Sequence, residues 1–430
     1  MQWQRHARWA ALTAGVGLVL AGLPANAAGH SMAVGIDLMG ARISYFDIDK
    51  DTRQVIDTGP AINSIHDVDG ELATDTSFIA GGLAGFSRFC SGSLFEAHEF
   101  GGGRGLEDRL YMAGEEDGGF FNPTGGAEWA LDPATGDIWH LPDLGRGAWE
   151  NVTYLDTGDK DTIAVLLGDD TSPFDFDDDG VREVDNSRNE AVADQEGFDE
   201  FGYPNQGNLW VQAEELGAFG FSRPEDVATS PDNGRVAVIA STGVDNDVGG
   251  VDTFGTTYTL TTNFKNLSAT LRIIYDGDAD PARTVRSPDN LDWADDGRIY
   301  VQEDEAEEET LDGEPLWGPG AANPNEAGAV RMTKNGKKLE RLYNIDRSVV
   351  LDPTTAGTPV DQDAGNAGEW ETSGIVDVSS RFSEKAGTLF LIDVQAHGIE
   401  DQDDFNADSR ITDGDLVEGG QLSFLLAPDG

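Results

Sequence analysis

The chain of 430 residues has only one cysteine, Cys90. A disulfide within the molecule is therefore impossible, and the small disulfide-stapled folds are excluded. An unpaired thiol in an oxidising compartment is protected either by burial or by a metal ion. Cys90 is thus either a buried, inert side chain or a metal-bound thiolate, and the paired acids Glu115 and Glu116, which follow the next apolar strand, favour the metal.

Basic residues are scarce, with 28 Lys and Arg against 80 Asp and Glu and a formal net charge of -52. This imbalance disfavours nucleic acids and anionic membranes as partners. Disorder does not explain it, because 38% of the residues are hydrophobic, with nine Trp and 20 Phe among them, and can form a core. A salt-adapted surface and clusters of calcium ligands both remain as explanations.

The chain has no apolar run long enough to predict a membrane span. Its longest run, Trp9 to Leu23, follows Arg5 and Arg8 and ends at Ala25-Asn26-Ala27, which is typical of a cleaved export signal. We therefore predict a signal peptide at 1–27, cleavage after Ala27, one domain at 28–430 and a periplasmic or secreted location. Removal of 1–27 takes away two arginines and no acid, so the formal charge becomes -54 over 403 residues.

Several motifs and linkers are also missing. No Gly-x-Ser-x-Gly elbow, nucleotide-binding glycine loop or zinc-type histidine pair occurs, which disfavours serine hydrolases and nucleotide-dependent enzymes. No Pro- or Ser-rich linker divides the chain, and its 54 glycines are spread along the whole length. Such frequent turns favour a repetitive β architecture.

A strand–turn–strand unit recurs along the chain. Glu150, Glu225, Asp289 and Glu371 each open one copy, and Cys90 opens a fifth, so that the starts lie 60, 75, 64 and 82 residues apart. This period predicts an all-β fold, a β-propeller of six blades with long acidic insertions at 171–206 and 303–328. Segments 42–46 and 421–426 would complete the sixth blade. A β-sandwich or two small β-domains is the alternative.

Equivalent positions of propeller blades face one central funnel, so the repeat predicts a ring of carboxylates that contains one thiolate. Packed carboxylates repel each other, and such a ring therefore requires cations. An acid before a strand can also simply cap a turn. Arginines precede several of these positions, among them Arg223 and Arg286, and a guanidinium binds either phosphate oxygens or the neighbouring acids.

Four segments in this order resemble the PhoX-type alkaline phosphatases: 221–226, 287–291, 297–300 and 389–398. The similarity extends from residue 80 to residue 426. The resemblance implies a six-bladed propeller whose central site holds a cysteine- and glutamate-bound pair of ferric ions together with calcium ions. It also implies hydrolysis of phosphate monoesters.

The resemblance assigns roles to individual residues. Cys90, Glu115 or Glu116, and Glu225 would be ligands on the iron side. Five further residues would bind calcium or orient the ligands: Glu150, Asp289, Asn290, Asp304 and Glu371. Arg223 and Arg286 would bind the phosphate as catalytic residues. His397, just beyond the last repeated strand, is a further candidate for a ligand or an acid–base group.

The implied cofactors are Fe³⁺ and calcium, and the implied partners are small phosphorylated substrates, bound by a monomer. The glycine-rich insert at Gly101 to Gly103 makes the spacing from Cys90 to Glu115 longer than the family pattern. Two other functions remain open. One is a non-enzymatic, calcium-binding propeller at the cell surface or in the matrix, and the other is a lactonase-like propeller with one calcium.

Overall fold

Short apolar segments between Gly- and Asp-rich turns form β-strands throughout the computed structural model. The structure describes residues 6–13, 39–75, 85–86, 88–116, 126–141, 144, 148–170, 174–176, 182–184, 221–243, 252–305, 308–310, 313–347, 360–361, 365–400 and 417–428. In these ranges the one helical element with assigned bounds is a 3-10 turn at Ser379–Phe382. None of the described helical segments is long and apolar enough to cross a membrane.

The strands run as follows. The first half of the described chain contains β1 (His6–Thr13), β2 (Met39–Gly40), β3 (Arg42–Asp49), β4 (Val55–Pro60), β5 (Ser64–His66), β6 (Gly85–Phe86), β7 (Gly92–Phe95), β8 (Leu110–Gly114), β9 (Glu128–Leu131), β10 (Asp137–His140), β11 (Trp149–Leu155), β12 (Ala164–Asp169), β13 (Phe174–Phe176) and β14 (Arg182–Val184). The second half contains β15 (Pro224–Thr229), β16 (Val236–Ser241), β17 (Thr256–Asn263), β18 (Ser268–Asp276), β19 (Pro288–Trp293), β20 (Arg298–Glu303), β21 (Gly328–Thr333), β22 (Leu339–Asn344), β23 (Val360–Asp361), β24 (Ile375–Asp377), β25 (Leu389–Glu400) and β26 (Val417–Leu426).

Four sheets form propeller blades. The strands pair in the orders β7-β8-β9-β10, β15-β16-β17-β18 and β19-β20-β21-β22, and the fourth sheet is built around β25. β5 adds a parallel strand to the outer edge of the first sheet, and the pair β11-β12 lies between the first and the second. The predicted all-β propeller is therefore confirmed, with four blades detected, while the count of six stays a prediction.

The first strands of three successive repeats carry the same irregularity. The register shifts between Trp149 and Val152 in β11, between Pro224 and Val227 in β15, and in the corresponding place of β19. A β-bulge of this kind re-aims two side chains at the edge of a sheet. The bulged pairs are Glu150-Asn151, Glu225-Asp226 and Asp289-Asn290, so the repeat in the sequence is also a repeat in backbone geometry.

The second residue of each bulged pair joins its strand to the next repeat. The side-chain amide of Asn151 donates a hydrogen bond to Asp226, and Asp226 in turn accepts one from the backbone N–H of Leu291 at 2.7 Å. Asn290 accepts one from the backbone N–H of Gly374. These buried bonds hold the first strands side by side. They also fix the direction of the acids that directly precede the bonded residues, Glu150, Glu225 and Asp289.

Glycines allow the strands of neighbouring repeats to approach each other closely. A Cβ on Gly114 of β8 would overlap the backbone of Trp149 in β11, and a Cβ on Gly168 of β12 would overlap the carbonyl of Glu225 in β15. Only glycine fits at such contacts. The apolar core lies mainly between sheets, as in the cluster that joins Val238 of β16 to the strands β19–β21.

The terminal segments differ from the expected sixth blade. Residues 42–46 lie in a sheet of order β1-β3-β4, whereas 421–426 belong to β26, which pairs with β25. The two segments meet through side chains instead, because Phe46, Ile48, Leu422 and Phe424 share one apolar cluster.

Two predicted features fall partly or mainly outside the described residues. Within the predicted signal, His6–Thr13 is a strand paired with β3, and the rest of 1–27 lies outside. Signal cleavage stays a prediction. Of the insertion at 171–206, only the hairpin β13-β14 is described.

Candidate metal centre

Two groups of carboxylates meet where the bulged strands converge. One oxygen each from Glu150, Glu225 and Asp289 lies within 4.8 Å of the others, and the same holds for Asp289, Asp304 and Glu371. The two triads share Asp289. The first three side chains are nearly inaccessible to solvent, with 4%, 2% and 2% of their residue surface exposed. Oxygen-only triads of this size match the ligands that calcium prefers.

Cys90 lies beside these acids. Its thiol lies close to the carboxylate of Glu116, and Arg88 donates a hydrogen bond to the same carboxylate. Asp170 lies close enough to hydrogen-bond with both Glu116 and Glu225. A thiol with carboxylates around it is a donor set for a softer ion such as iron.

Charge is concentrated to an unusual degree in this cluster. It contains seven carboxyl groups and one thiol, against two arginines and one histidine: Glu116, Glu150, Asp170, Glu225, Asp289, Asp304, Glu371 and Cys90, with Arg88, Arg223 and His397. We call this set the acidic funnel. Without cations, burial raises the pKa of most of these carboxyls, and repulsion between them raises it further.

The individual pKa shifts follow from these contacts. Burial and then Asp170 raise the pKa of Glu116, and burial and then Asp289 raise that of Glu150. For Asp170, burial also acts to raise the pKa, but the charge of Arg223 outweighs it and the net shift is downward. The pKa of Glu371 is likewise lowered, because His397 Nε2 lies 2.7 Å from its Oε1 and outweighs burial.

One buried oxygen in the acidic funnel has no hydrogen-bond partner. Oε1 of Glu225 is 3.0 Å from an Nη2 atom of Arg223, but the N–H is not aligned with it, and no other described group donates to it. Arg223 supplies one positive charge beside this oxygen, but the acidic funnel holds seven carboxyl groups against two arginines, so its buried negative charge is only partly offset. The residues present therefore fit bound metal ions.

Arg223 faces the acidic funnel. It binds Asp170 through two parallel contacts, Nε to Oδ1 at 2.7 Å and Nη2 to Oδ2 at 3.0 Å, and 24% of its side chain is exposed. Its Nη1 makes no hydrogen bond to a described residue, which leaves donors for a bound anion. Its backbone has φ of 55°, a left-handed conformation immediately before the bulge of β15.

Arg286 lies elsewhere and does not fit the predicted role. Its side chain is fully buried against Trp317 at 3.7 Å, and its N–H groups donate to Glu303 and to backbone carbonyls, including that of Asn323 at 2.8 Å. The residue that corresponds to Arg223 is Ser287, because both directly precede the proline of the bulged strand and both have positive φ. The offset of one residue turns Arg286 away from the funnel.

The structure separates the two adjacent acids after β8. Glu116 joins the acidic funnel, whereas Glu115 accepts a hydrogen bond from Trp129 Nε1 at 2.9 Å in the apolar interior. Side chains alternate along extended backbone, so adjacent residues point to opposite sides. Asn290 donates to Asp289 Oδ1 at 2.8 Å and to Glu150 Oε1 at 3.2 Å, which places it as an orienting group.

The predicted site residues do not include two members of the acidic funnel, Asp170 and Arg88. Asp170 directly follows β12 as Asp304 follows β20, so the strand-end pattern that indicated Asp304 would also have indicated Asp170. Arg88 is the counterpart of Arg223. The carbonyl of Arg88 accepts the N–H of Glu116 at 2.8 Å, and that of Arg223 accepts the N–H of Thr242 at 2.9 Å.

Comparison with known proteins supports the fold. No family model matches the chain, and no curated protein matches it. The solved structure of Pseudomonas fluorescens PhoX in complex with vanadate, a transition state analogue, is similar over 90% of this chain and 80% of that chain, with a TM-score of 0.54 and 12% identity. The two share a propeller fold. At this identity the likeness to PhoX extends to the fold alone.

Two further solved structures are much weaker matches. They are a putative 6-phosphogluconolactonase from Bacteroides uniformis and the periplasmic gluconolactonase PpgL of Pseudomonas aeruginosa. The first has 12% identity over 89% of this chain and 95% of that chain, with a TM-score of 0.25. The second has 11% identity over 90% and 95%, with a TM-score of 0.24. Both TM-scores are too low to support a conclusion about this chain.

Proposed function

We propose that the chain is an exported, metal-dependent phosphatase that hydrolyses phosphate esters, monoesters above all, at the acidic funnel. The observation that carries the proposal is the arrangement of two carboxylate triads around Asp289, next to a thiol and to Arg223, whose Nη1 makes no hydrogen bond to a described residue. The shared fold with PhoX, which was solved with a transition state analogue, supports it.

Each group has a role in this proposal. Cys90, Glu116 and Glu225 would hold Fe³⁺, and Glu150, Asp289, Asp304 and Glu371 would hold calcium. Bound cations supply charge neutralisation at the phosphoryl group and activation of the attacking water. The Nη1 donors of Arg223 would bind a phosphoryl oxygen, and Asp170 would hold the guanidinium in place. Arg88, hydrogen-bonded to Glu116, would position that ligand.

The remaining parts of the proposal concern the whole molecule. A sixth blade, closed by the terminal sheet of β3 and β4, would complete the ring of the propeller. Small phosphorylated substrates would reach the acidic funnel in a monomer located in the periplasm or outside the cell. The strong negative charge is compatible with that location because small cations are available there.

Hydrolysis measured with and without chelator tests the proposal. Purified folded chain, supplied with iron and calcium, is expected to hydrolyse p-nitrophenyl phosphate and to lose that activity in EDTA. Cys90→Ser is expected to abolish turnover while the circular dichroism spectrum stays unchanged. Ser268→Ala, at an exposed position of β18, is the control and should remain active. A folded, metal-supplied chain without turnover would contradict the proposal.

A non-enzymatic, calcium-binding propeller is the second candidate. It is favoured by the triad of Asp289, Asp304 and Glu371, whose three ligands are all oxygens and do not involve the thiol. On this alternative, Cys90→Ser would leave calcium binding and thermal stability unchanged, and no phosphate ester would be hydrolysed.

A further inference from the structure

An apolar pocket of about 120 Å³ lies next to the acidic funnel. Its wall is mainly aliphatic and aromatic, with contributions from Phe46, Ile48, Ile375, Val376, Leu391 and Leu422. Cys90 of the acidic funnel also lines it, as does Asn290, which donates hydrogen bonds to Glu150 and Asp289. It is formed where β3 meets the sheet of β24, β25 and β26.

The size of the pocket suits a small apolar group. A cavity of about 150 Å³ lined by Leu, Ile and Phe binds benzene. The present pocket is slightly smaller and opens to solvent beside Val376, and its wall also includes the polar residues Ser91, Asn290 and Asp393. An apolar group that enters it exchanges contact with water for contact with the aliphatic and aromatic wall.

We propose that this pocket binds the organic group of the ester, an unsubstituted aryl or short alkyl group, while the phosphoryl group lies at the acidic funnel. The inference rests on the proposed function and adds a substrate class to it. Phe46 and Tyr111 in the wall provide aromatic surfaces for a ring.

The proposal predicts a preference among esters of equal charge. Benzyl phosphate is expected to have a kcat/KM at least about tenfold above that of glycerol 2-phosphate, because both have an alcohol as leaving group, desolvating hydroxyl groups in an apolar pocket is unfavourable and burying a ring is favourable. Phenol alone is expected to bind the metal-loaded full-length chain, as measured by saturation-transfer NMR, whether or not any ester is hydrolysed.

Val376→Trp is the filling variant. Val376 lines the pocket and is 45% exposed, so a larger side chain at this position can enter the pocket without disturbing the core. The variant is expected to lose phenol binding and to lose the preference for benzyl phosphate, with the kcat/KM of glycerol 2-phosphate unchanged. The matched control is Ile273→Trp, since Ile273 is 56% exposed on β18 in another blade. It should behave as the wild type.

The possible outcomes test the assigned pocket separately from the proposed phosphatase activity. Equal phenol binding by Val376→Trp and the wild type, or no phenol binding by the wild type, would overturn the assigned pocket even if esters are hydrolysed. Phenol binding that is lost only in Val376→Trp, in a chain that hydrolyses no ester, would support the pocket and contradict the proposed function.

Discussion

Glu303→Gln is expected to destabilise the protein strongly. Glu303 is fully buried in β20 and is bound by two arginines: its Oε1 lies 3.2 Å from Arg286 Nε and 2.8 Å from Arg341 Nη2. Its pKa is lowered, because these two charges outweigh burial, which acts in the opposite direction. The carboxylate therefore stays ionised, and the amide variant leaves two arginines without their counter-charge.

The size of the expected loss of stability follows from the burial of the charges. Removal of one partner from a buried ion pair costs about 3–5 kcal/mol, because the other charge stays buried without compensation. Arg286 is 0% exposed and Arg341 has 18% of its side chain exposed, so neither can turn fully to solvent. We expect the free energy of unfolding to fall by about 3–5 kcal/mol.

The effect also reaches the acidic funnel. Glu303 directly precedes Asp304, and its backbone carbonyl accepts a hydrogen bond from Thr372 Oγ1 at 3.0 Å, next to Glu371. The same variant is therefore expected to weaken calcium binding at the triad of Asp289, Asp304 and Glu371. Isothermal titration at a temperature where the variant is folded measures this separately from stability.

Urea unfolding followed by tryptophan fluorescence is the assay, with Glu384→Gln as the control. Glu384 also forms an ion pair, with Arg53 at 2.8 Å, but the two side chains are 45% and 31% exposed. Exposed pairs contribute about 0–1 kcal/mol. If Glu303→Gln lowers the free energy of unfolding no more than Glu384→Gln does, the buried carboxylate does not stabilise the fold in the way described.

Three further predictions concern other groups. Glu128 is fully buried, and neither of its side-chain oxygens has a hydrogen-bond partner among the described residues. Burial raises its pKa, so the free energy of unfolding falls as the pH rises from about 4.5 toward the raised value. Glu128→Met should therefore raise the melting temperature more at pH 8 than at pH 5, and an equal rise at both would contradict this. Arg223→Lys removes the two-point contact with Asp170, and kcat/KM for p-nitrophenyl phosphate should fall about 100-fold; a rate close to wild type would exclude the phosphate role. Chelation of bound cations should lower the melting temperature of the wild type, as mutual repulsion in the acidic funnel returns; an unchanged temperature would show that no cation stabilises the fold.

The sequence was sufficient to predict the repeat and most of the acidic funnel, because acids recur where each first strand begins. Which of two neighbouring residues faces the funnel depends on backbone geometry instead. Glu115 and Glu116 have the same chemistry, and only the register after β8 decides which one faces the funnel. Arg286 and Arg223 both precede an acid, but the bulge of β19 aligns Ser287, not Arg286, with Arg223.

The pairing of the ends was not predictable from local patterns. Segment 421–426 is part of β26 and pairs with the preceding strand β25, whereas 42–46 lies in β3 and pairs with β1 and β4, so the two segments expected in one blade lie in different sheets. The two candidates have similar strand character, and their choice of partner depends on contacts between distant parts of the chain. The missed Asp170 is different, because its place after β12 is a local signal.

Metal content is the most direct test of the central claim, that the acidic funnel is a metal centre with separate thiolate and oxygen sites. Inductively coupled plasma mass spectrometry on full-length chain purified from its own compartment should find both iron and calcium. In Cys90→Ser, iron should be lost and calcium retained, and in Asp289→Asn calcium should fall. A folded wild-type chain that was offered both metals and binds neither would contradict the account.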